Sequence, residues 1–246
     1  MTDRTVLSLT GPDRVGFLQG LITNDVLRAQ DGIIYAAMLT PQGKYLVDFF
    51  GIGRTDDLLI DVASPLAAML LQRLTMYKLR AQVRIAATDL RVSRGVGPAP
   101  AGALNDPRHP ALGWRLYGPE TPNGTGPDST DWDAIRVAHC IPETGIELTP
   151  DSYILESGFE ALQGVDFKKG CYVGQEVTAR MKHKTELKKG LITVAVTGAA
   201  EAGTEITSEG KPAGTLLTRS GNRAIAYLRF DRTENMQAGT ATLSLA

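Results

Sequence analysis

The stretch Phe167-Lys-Lys-Gly-Cys-Tyr-Val-Gly-Gln-Glu-Val-Thr-Ala-Arg180 differs from the rest of the chain. It places Cys171 directly after Gly170, three residues before Gly174, and behind Lys168 and Lys169. Glycine reaches backbone geometries that Cβ-bearing residues resist, so such a loop can present a thiol outward from a fixed base. Neighbouring ammonium groups favour the thiolate, lowering a thiol that otherwise titrates near ~8.5. The competing reading of a lone cysteine is a small, buried, inert hydrophobe. Gln175 and Glu176 read as the start of a helix. The segment also opens a basic run: from Lys168 to Lys189 seven Lys and Arg stand against two acids, Glu176 and Glu186. A run of this sign suits a carboxylate tail, a phosphate or RNA, and equally a solvated basic face.

Around this segment the chain is ordinary. Its 246 residues carry 26 Lys and Arg against 27 Asp and Glu, a net charge of -1, and 43% are hydrophobic. That length buries a real core, as one large domain or two small ones, and the composition excludes wholesale disorder. Two cysteines cannot build a disulfide scaffold. No apolar run approaches the roughly 18–20 residues of a membrane helix, and the first residues carry no secretory signal. The expectation is a soluble, cytoplasmic protein with reduced thiols and no membrane partner. Near-neutral charge makes no case for direct nucleic-acid binding.

The organisation is α+β. Val6 to Leu9, Ile33 to Leu39, Tyr45 to Ile52 and Leu58 to Val62 read as strands. Asp13 can cap a helix with Val15, Leu18 and Ile22 on its apolar face. Ser64 and Pro65 start a second helix. Leu79 to Ala87 alternates apolar and polar residues with period two, as a half-wet strand does. Residues 95–130 then hold seven of the thirteen prolines and seven glycines. They read as two loops around the strand ALGWRLY, or as a flexible linker. Trp132 to Ala138 and Asp151 to Leu162 are expected helices. From Gly190 onward four short strands separated by glycine-containing turns predict a small antiparallel barrel or sandwich. Histidines His109, His139 and His183 sit at no metal-ligand spacing, and no zinc pattern or phosphate loop appears.

The segment Lys169-Gly-Cys-Tyr-Val-Gly-Gln-Glu176, followed by Ala179-Arg180, resembles the signature of the YgfZ/IBA57 family, which is similar to the glycine cleavage T-protein, an aminomethyltransferase. Phe17-Leu-Gln-Gly-Leu-Ile-Thr-Asn-Asp25 resembles an early segment of that family, and Leu39-Thr-Pro-Gln-Gly-Lys44 with Asp48 its next strand-turn-strand. Asp106-Pro-Arg108, Gly113-Trp-Arg115, Arg136 and Ile141-Pro142 follow in the family's order. The resemblance implies an α+β, T-protein-like ring of subdomains around a central folate pocket. Residues 1–187 would form the folate-binding region, as two interleaved α+β subdomains with Pro/Gly-rich loops at 95–130, and 188–246 a C-terminal antiparallel β-barrel.

By the same resemblance the chain binds tetrahydrofolate or a related folate through Asn24, Asp25, Asp48 and Arg136. It would support iron–sulfur cluster assembly or repair, including in tRNA-modifying enzymes, with assembly proteins or client iron–sulfur enzymes as partners. Cys171 is the expected reactive thiol. Lys169, Gly170, Tyr172, Gly174, Gln175, Glu176 and Arg180 are the expected motif and anchoring residues. The resemblance leaves catalytic turnover open. A folate-dependent aminomethyl or one-carbon transferase is the alternative, and Asp48 lies near the T-protein's catalytic aspartate. Ala138 stands where that enzyme has a folate-contacting glutamate, and Cys140 where the family usually carries a glycine. A third reading makes Lys182, Lys184 and Lys188 a tRNA-contact face.

Overall fold

The computed structural model describes residues 3–119, 129–184 and 186–246. Most of the second Pro/Gly-rich loop therefore lies outside the described residues. The chain divides into two compact units, Met1–Thr130 with Glu160–Gln175, and Asp131–Phe159 with Glu176–Ala246.

The first unit opens with β1 (Arg4–Thr10), α1 (Arg14–Gln19), β2 (Ile33–Leu39), β3 (Tyr45–Gly53), β4 (Asp57–Ala63), α2 (Ser64–Lys78) and β5 (Arg84–Ala87). Its five strands form one antiparallel sheet of order β2-β3-β4-β1-β5. Every residue of β4 is buried, so it reads as a continuous apolar run broken only by acids. Leu7, Leu9, Phe49, Ile60 and Val62 pack with Leu18, Ile22, Leu70 and Leu74 in the core of this unit. A second sheet, order β6-β8-β7, combines β6 (Arg91–Gly95), β7 (Leu104–Asn105) and β8 (Trp114–Gly118). The Pro/Gly-rich stretch thus supplies two strands, β7 and β8, to a sheet that β6 completes from just before it.

Two local expectations give way here. Asp13 does not cap α1; its carboxylate instead accepts the backbone N–H of Gln82, and the helix ends before Ile22. The alternating run 79–87 is extended only from Arg84, because Leu79 terminates α2 at φ 44° with its side chain in solvent.

The second unit holds α3 (Trp132–Ala138), α4 (Gln175–Lys184, whose first residue counts with the first unit) and six strands. β9 (Lys189–Thr197), β10 (Glu205–Ser208), β11 (Lys211–Ser220), β12 (Arg223–Arg229), β13 (Met236–Ala238) and β14 (Ala241–Leu245) close into an antiparallel barrel of order β10-β11-β12-β9-β14-β13. Closure removes the exposed edges that four open strands would leave. Small and medium residues fill it: Val194, Ile206, Leu216, Ala224, Ala226, Leu228 and Met236. Residues 151–162 form turns rather than the expected helix. Gly158 sits at φ 77°, in the left-handed region, so the ladder begun by Ser157 N–H on the Tyr153 carbonyl stops there.

Candidate functional site

Cys171 is exposed, and what surrounds it explains its mounting. Lys169, two residues earlier, is buried. Its ammonium donates to the carbonyls of Gln19 (2.7 Å), Ile22 (2.6 Å) and Asn24 (3.0 Å), which close the turn after α1. Its Nζ also stands 5.1 Å from the Tyr172 ring centroid. Burial lowers the Lys169 ammonium to about 8, with Asp25 and Asp166 opposing. Lys169 is therefore a peg into the turn, its three N–H bonds spent on carbonyls. Val173 N–H donates to the Gly20 carbonyl. Gly174 has φ 84°, and a Cβ there would lie 2.6 Å from the Thr40 carbonyl oxygen. Gly170 shows neither constraint.

The turn itself is bound to the segment before the motif. The Thr23 hydroxyl donates to the Gly164 carbonyl at 2.6 Å, and Asp166 N–H to the Thr23 carbonyl. The Asn24 amide donates to the Tyr35 and Gln163 carbonyls, at 2.8 and 2.7 Å. The Asp25 carboxylate accepts from Leu27 N–H and from the Gln19 amide. Asn24 and Asp25 were expected to face a folate; these bonds commit their side chains to the Cys171 platform. Glu176 and Arg180 pair with each other on the exposed face of α4, at 2.8 Å.

Asp48 belongs to a different cluster of the same unit. It is buried, not solvent-facing, and accepts the Tyr35 hydroxyl at 3.0 Å and the Tyr45 hydroxyl at 2.6 Å. Burial, then the Asp48 charge, raises the Tyr35 phenol well above its ordinary value, so it stays a donor. Beside it, Arg108 stacks on Phe50 (4.8 Å) and Tyr35 (5.5 Å), and Arg115 on Phe50 (4.0 Å). Asp106 binds Arg108 through both carboxylate oxygens. Asp61, fully buried in β4, accepts from Arg4 (2.6 Å), Arg115 (2.6 Å) and Tyr117 (2.9 Å). Burial alone would raise the Asp61 carboxyl, but Arg115 and Arg4 hold it below the ordinary carboxylate value. Sequence reading missed Tyr35, Tyr45 and Asp61. The signal for Asp61 was an acid inside the otherwise apolar run Leu58-Leu-Ile-Asp-Val62.

Arg136 lies in the second unit and is buried. Its Nη1 donates to the Ile141 carbonyl and Glu147, its Nη2 to Asp133 and Thr218, and its Nε to Asp133. All five guanidinium N–H groups are thus used within the protein. Cys140 has φ 51°, and burial pushes its thiol up to about 11. Among the described residues no group of three or more His, Cys, Asp or Glu could hold a metal ion, and no helix is long and apolar enough to cross a membrane.

The donor chemistry can be tested against a folate. Pterin ring N–H groups need a carboxylate or amide acceptor. Of the four expected residues, Asp48 supplies that chemistry in a buried, tyrosine-lined setting. Arg136 has no N–H left to give, and Ala138 offers no acceptor.

Residues 188–246 match the family model described as the CAF17 C-terminal beta-barrel domain. The iron–sulfur cluster assembly factor IBA57, mitochondrial, of Homo sapiens is 30% identical over 267 residues, covering 92% of this chain and 75% of that protein. Its Mus musculus counterpart is 29% identical, with 93% and 76% covered. Among solved structures, the glycine cleavage system aminomethyltransferase T from Bartonella henselae superposes with a TM-score of 0.77 at 13% identity, covering 98% of this chain and 82% of that one. That likeness shows the T-protein-like fold. The relatives named as mitochondrial overturn the cytoplasmic expectation. The thiol argument behind that expectation separates reducing from oxidising compartments, and it does not distinguish one reducing compartment from another. With this identity over most of both sequences, the barrel in place and Cys171 on its platform, the chain belongs to the IBA57 family of iron–sulfur cluster assembly factors.

Proposed function

We propose that this protein assists iron–sulfur cluster assembly or repair, with Cys171 as the thiol that meets the cluster or its client. The observation that carries the reading is the rigidly mounted, exposed Cys171 in a member of this family. One thiolate cannot hold a whole cluster. Its role is a transient ligand or acceptor while the cluster, as cargo, passes between assembly proteins and clients, tRNA-modifying enzymes included. The Cys171 loop stays fixed because Lys169 and Val173 tie it to the α1 turn, so the thiol is presented without a large ordering cost.

We further propose a folate ligand in the first unit, with the Asp48 carboxylate accepting from the pterin and Tyr35 and Tyr45 orienting that carboxylate. Support comes from the buried tyrosine-held Asp48 and from the fold shared with an aminomethyltransferase. When bound, the folate supplies a one-carbon carrier or a structural plug.

Replacement of Cys171 by Ser tests the first proposal. The variant should keep the wild-type unfolding curve and fail to restore iron–sulfur enzyme activity in cells lacking their own factor; full restoration would sink the assigned role. Calorimetric titration with tetrahydrofolate under reducing conditions tests the second. Binding that Asp48→Asn weakens supports the site, and absence of heat removes it.

A further inference from the structure

Between Asp61 and Asp89 the chain carries no acid, while Arg73, Lys78, Arg80 and Arg84 all fall in that interval. Among the described residues none of these four side chains makes an ion pair or a hydrogen bond. Elsewhere in the same unit Arg4, Arg54, Arg108 and Arg115 each meet a carboxylate. Asp13, the acid beside this turn, engages the Gln82 backbone N–H and no cation. Two of the four have a local reason. Lys78 complements the carbonyl end of α2, and Arg84 marks the open edge of β5. Arg73 and Arg80 have neither.

The apolar side chains at the same end of α2 are equally unpartnered. Leu70 and Leu74 are fully buried and hold the helix on the core. Past them the chain turns outward: Met76 is 66% exposed, Tyr77 is exposed, and Leu79 is 89% exposed. Arg73 lies three and four residues before Met76 and Tyr77, so it neighbours both on the helix surface. Leu79 holds φ 44°, where a bulky residue is strained and glycine is not. With its side chain in solvent, Leu79 adds no packing to offset that strain. A side chain this exposed lines no groove; it protrudes. A protein partner would need a pocket to receive it. The interface of a bilayer takes an apolar protrusion without one, and anionic headgroups take the cations around it. A tyrosine, apolar in its ring and polar at its tip, suits the headgroup level.

We propose that the C-terminal tip of α2 docks this protein on an anionic lipid surface. Leu79 and Met76 enter the boundary between headgroups and acyl chains, and Arg73, Lys78 and Arg80 meet the lipid phosphates. The attachment is peripheral, since no helix among the described residues is long and apolar enough to cross a membrane. The expectation of no membrane partner rested on the lack of a spanning segment, which does not bear on a surface contact. The tip includes neither Cys171 nor the Asp48 cluster and stands apart from both proposals above.

Cosedimentation of the full chain with extruded vesicles tests the proposal. Phosphatidylcholine with about one third phosphatidylglycerol supplies the anionic surface, and pure phosphatidylcholine the neutral one. The parent should pellet with the first and bind the second at least about tenfold more weakly. Its binding should fall as salt rises from about 0.1 to 1 M, where the Debye length drops from ~10 to ~3 Å. Arg80→Gln should weaken binding about fivefold and Leu79→Gly about tenfold. Glycine accepts φ 44° without strain, so the urea midpoint of Leu79→Gly should stay near the parent's; Leu79→Asn, which also tolerates this backbone, should behave alike. No pelleting of the parent with the anionic vesicles, equal binding to the neutral ones, or unchanged binding in Leu79→Gly and Arg80→Gln would overturn the proposal. Dimers that Leu79→Gly abolishes, or binding to polyglutamate but not to vesicles, would also overturn it, by assigning the tip to a second copy or to an acidic partner.

Discussion

The two cysteines differ in the physics of their positions. Burial raises the Cys140 thiol to about 11, whereas Cys171 is exposed. Only the thiolate is nucleophilic, so iodoacetamide near neutral pH should label Cys171 and spare Cys140 in the folded protein. Mass spectrometry of the labelled peptides checks this, and labelling of both at equal rates would contradict it. The left-handed φ of 51° at Cys140 gives a second test. An L-residue there costs about 1 kcal/mol that glycine avoids, and a β-branched residue costs more. Cys140→Gly should therefore unfold within about 1 kcal/mol of the parent in urea, while Cys140→Val loses about 2 kcal/mol.

At the scale of the element, the Cys171 loop is a mounting. Lys169 satisfies three carbonyls left by the end of α1 and the turn after it. Lys169→Met should cost about 3 kcal/mol, because three buried acceptors lose their donor, while exposed Lys168→Met stays near neutral. Gly174→Ala should cost at least about 2 kcal/mol, since both its φ and the Thr40 carbonyl exclude a Cβ. Urea melts separate these variants. Near-parent stability for Lys169→Met would show that the peg is dispensable. The sequence exposed the loop through its glycines and lysines, but assigned Lys169 to the thiolate. Adjacency in sequence suggested a charge partner, whereas the carbonyls that take the ammonium are some 150 residues away, as with Gln19.

At the largest scale, the first unit depends on charges that meet across long sequence separations. Asp61 of β4 binds Arg4 of β1 and Arg115 of β8, joining the two sheets. Asp61→Asn takes the carboxylate from half-buried Arg4 and leaves buried Arg115 only the Asp106 carboxylate at 3.5 Å, and should cost about 3 kcal/mol at neutral pH. The pH sign follows from the direction of the shift. The folded Asp61 carboxyl lies below its ordinary value, so its stabilisation is full above the unfolded value and fades as pH falls through the folded one. The gap between parent and Asp61→Asn in urea should accordingly narrow in strong acid. A gap independent of pH would mean that packing, not the ion pairs, carries the loss.

What the sequence determined by itself was local: periodicity placed most strands of both units, and glycine-separated strands announced the barrel after residue 188. Its motif identified the family. The tertiary structure alone decided which polar residues face one another. It turned Asn24 and Asp25 into a platform, used up Arg136, and buried Asp48 between two tyrosines. It also left the Trp114 indole N–H buried without a hydrogen-bond partner among the described residues. Backbone periodicity is a property of neighbours along the chain and is legible in one dimension. Hydrogen-bond partners and burial depend on which distant segments the folded sheets bring together, and no spacing in the sequence encodes that pairing.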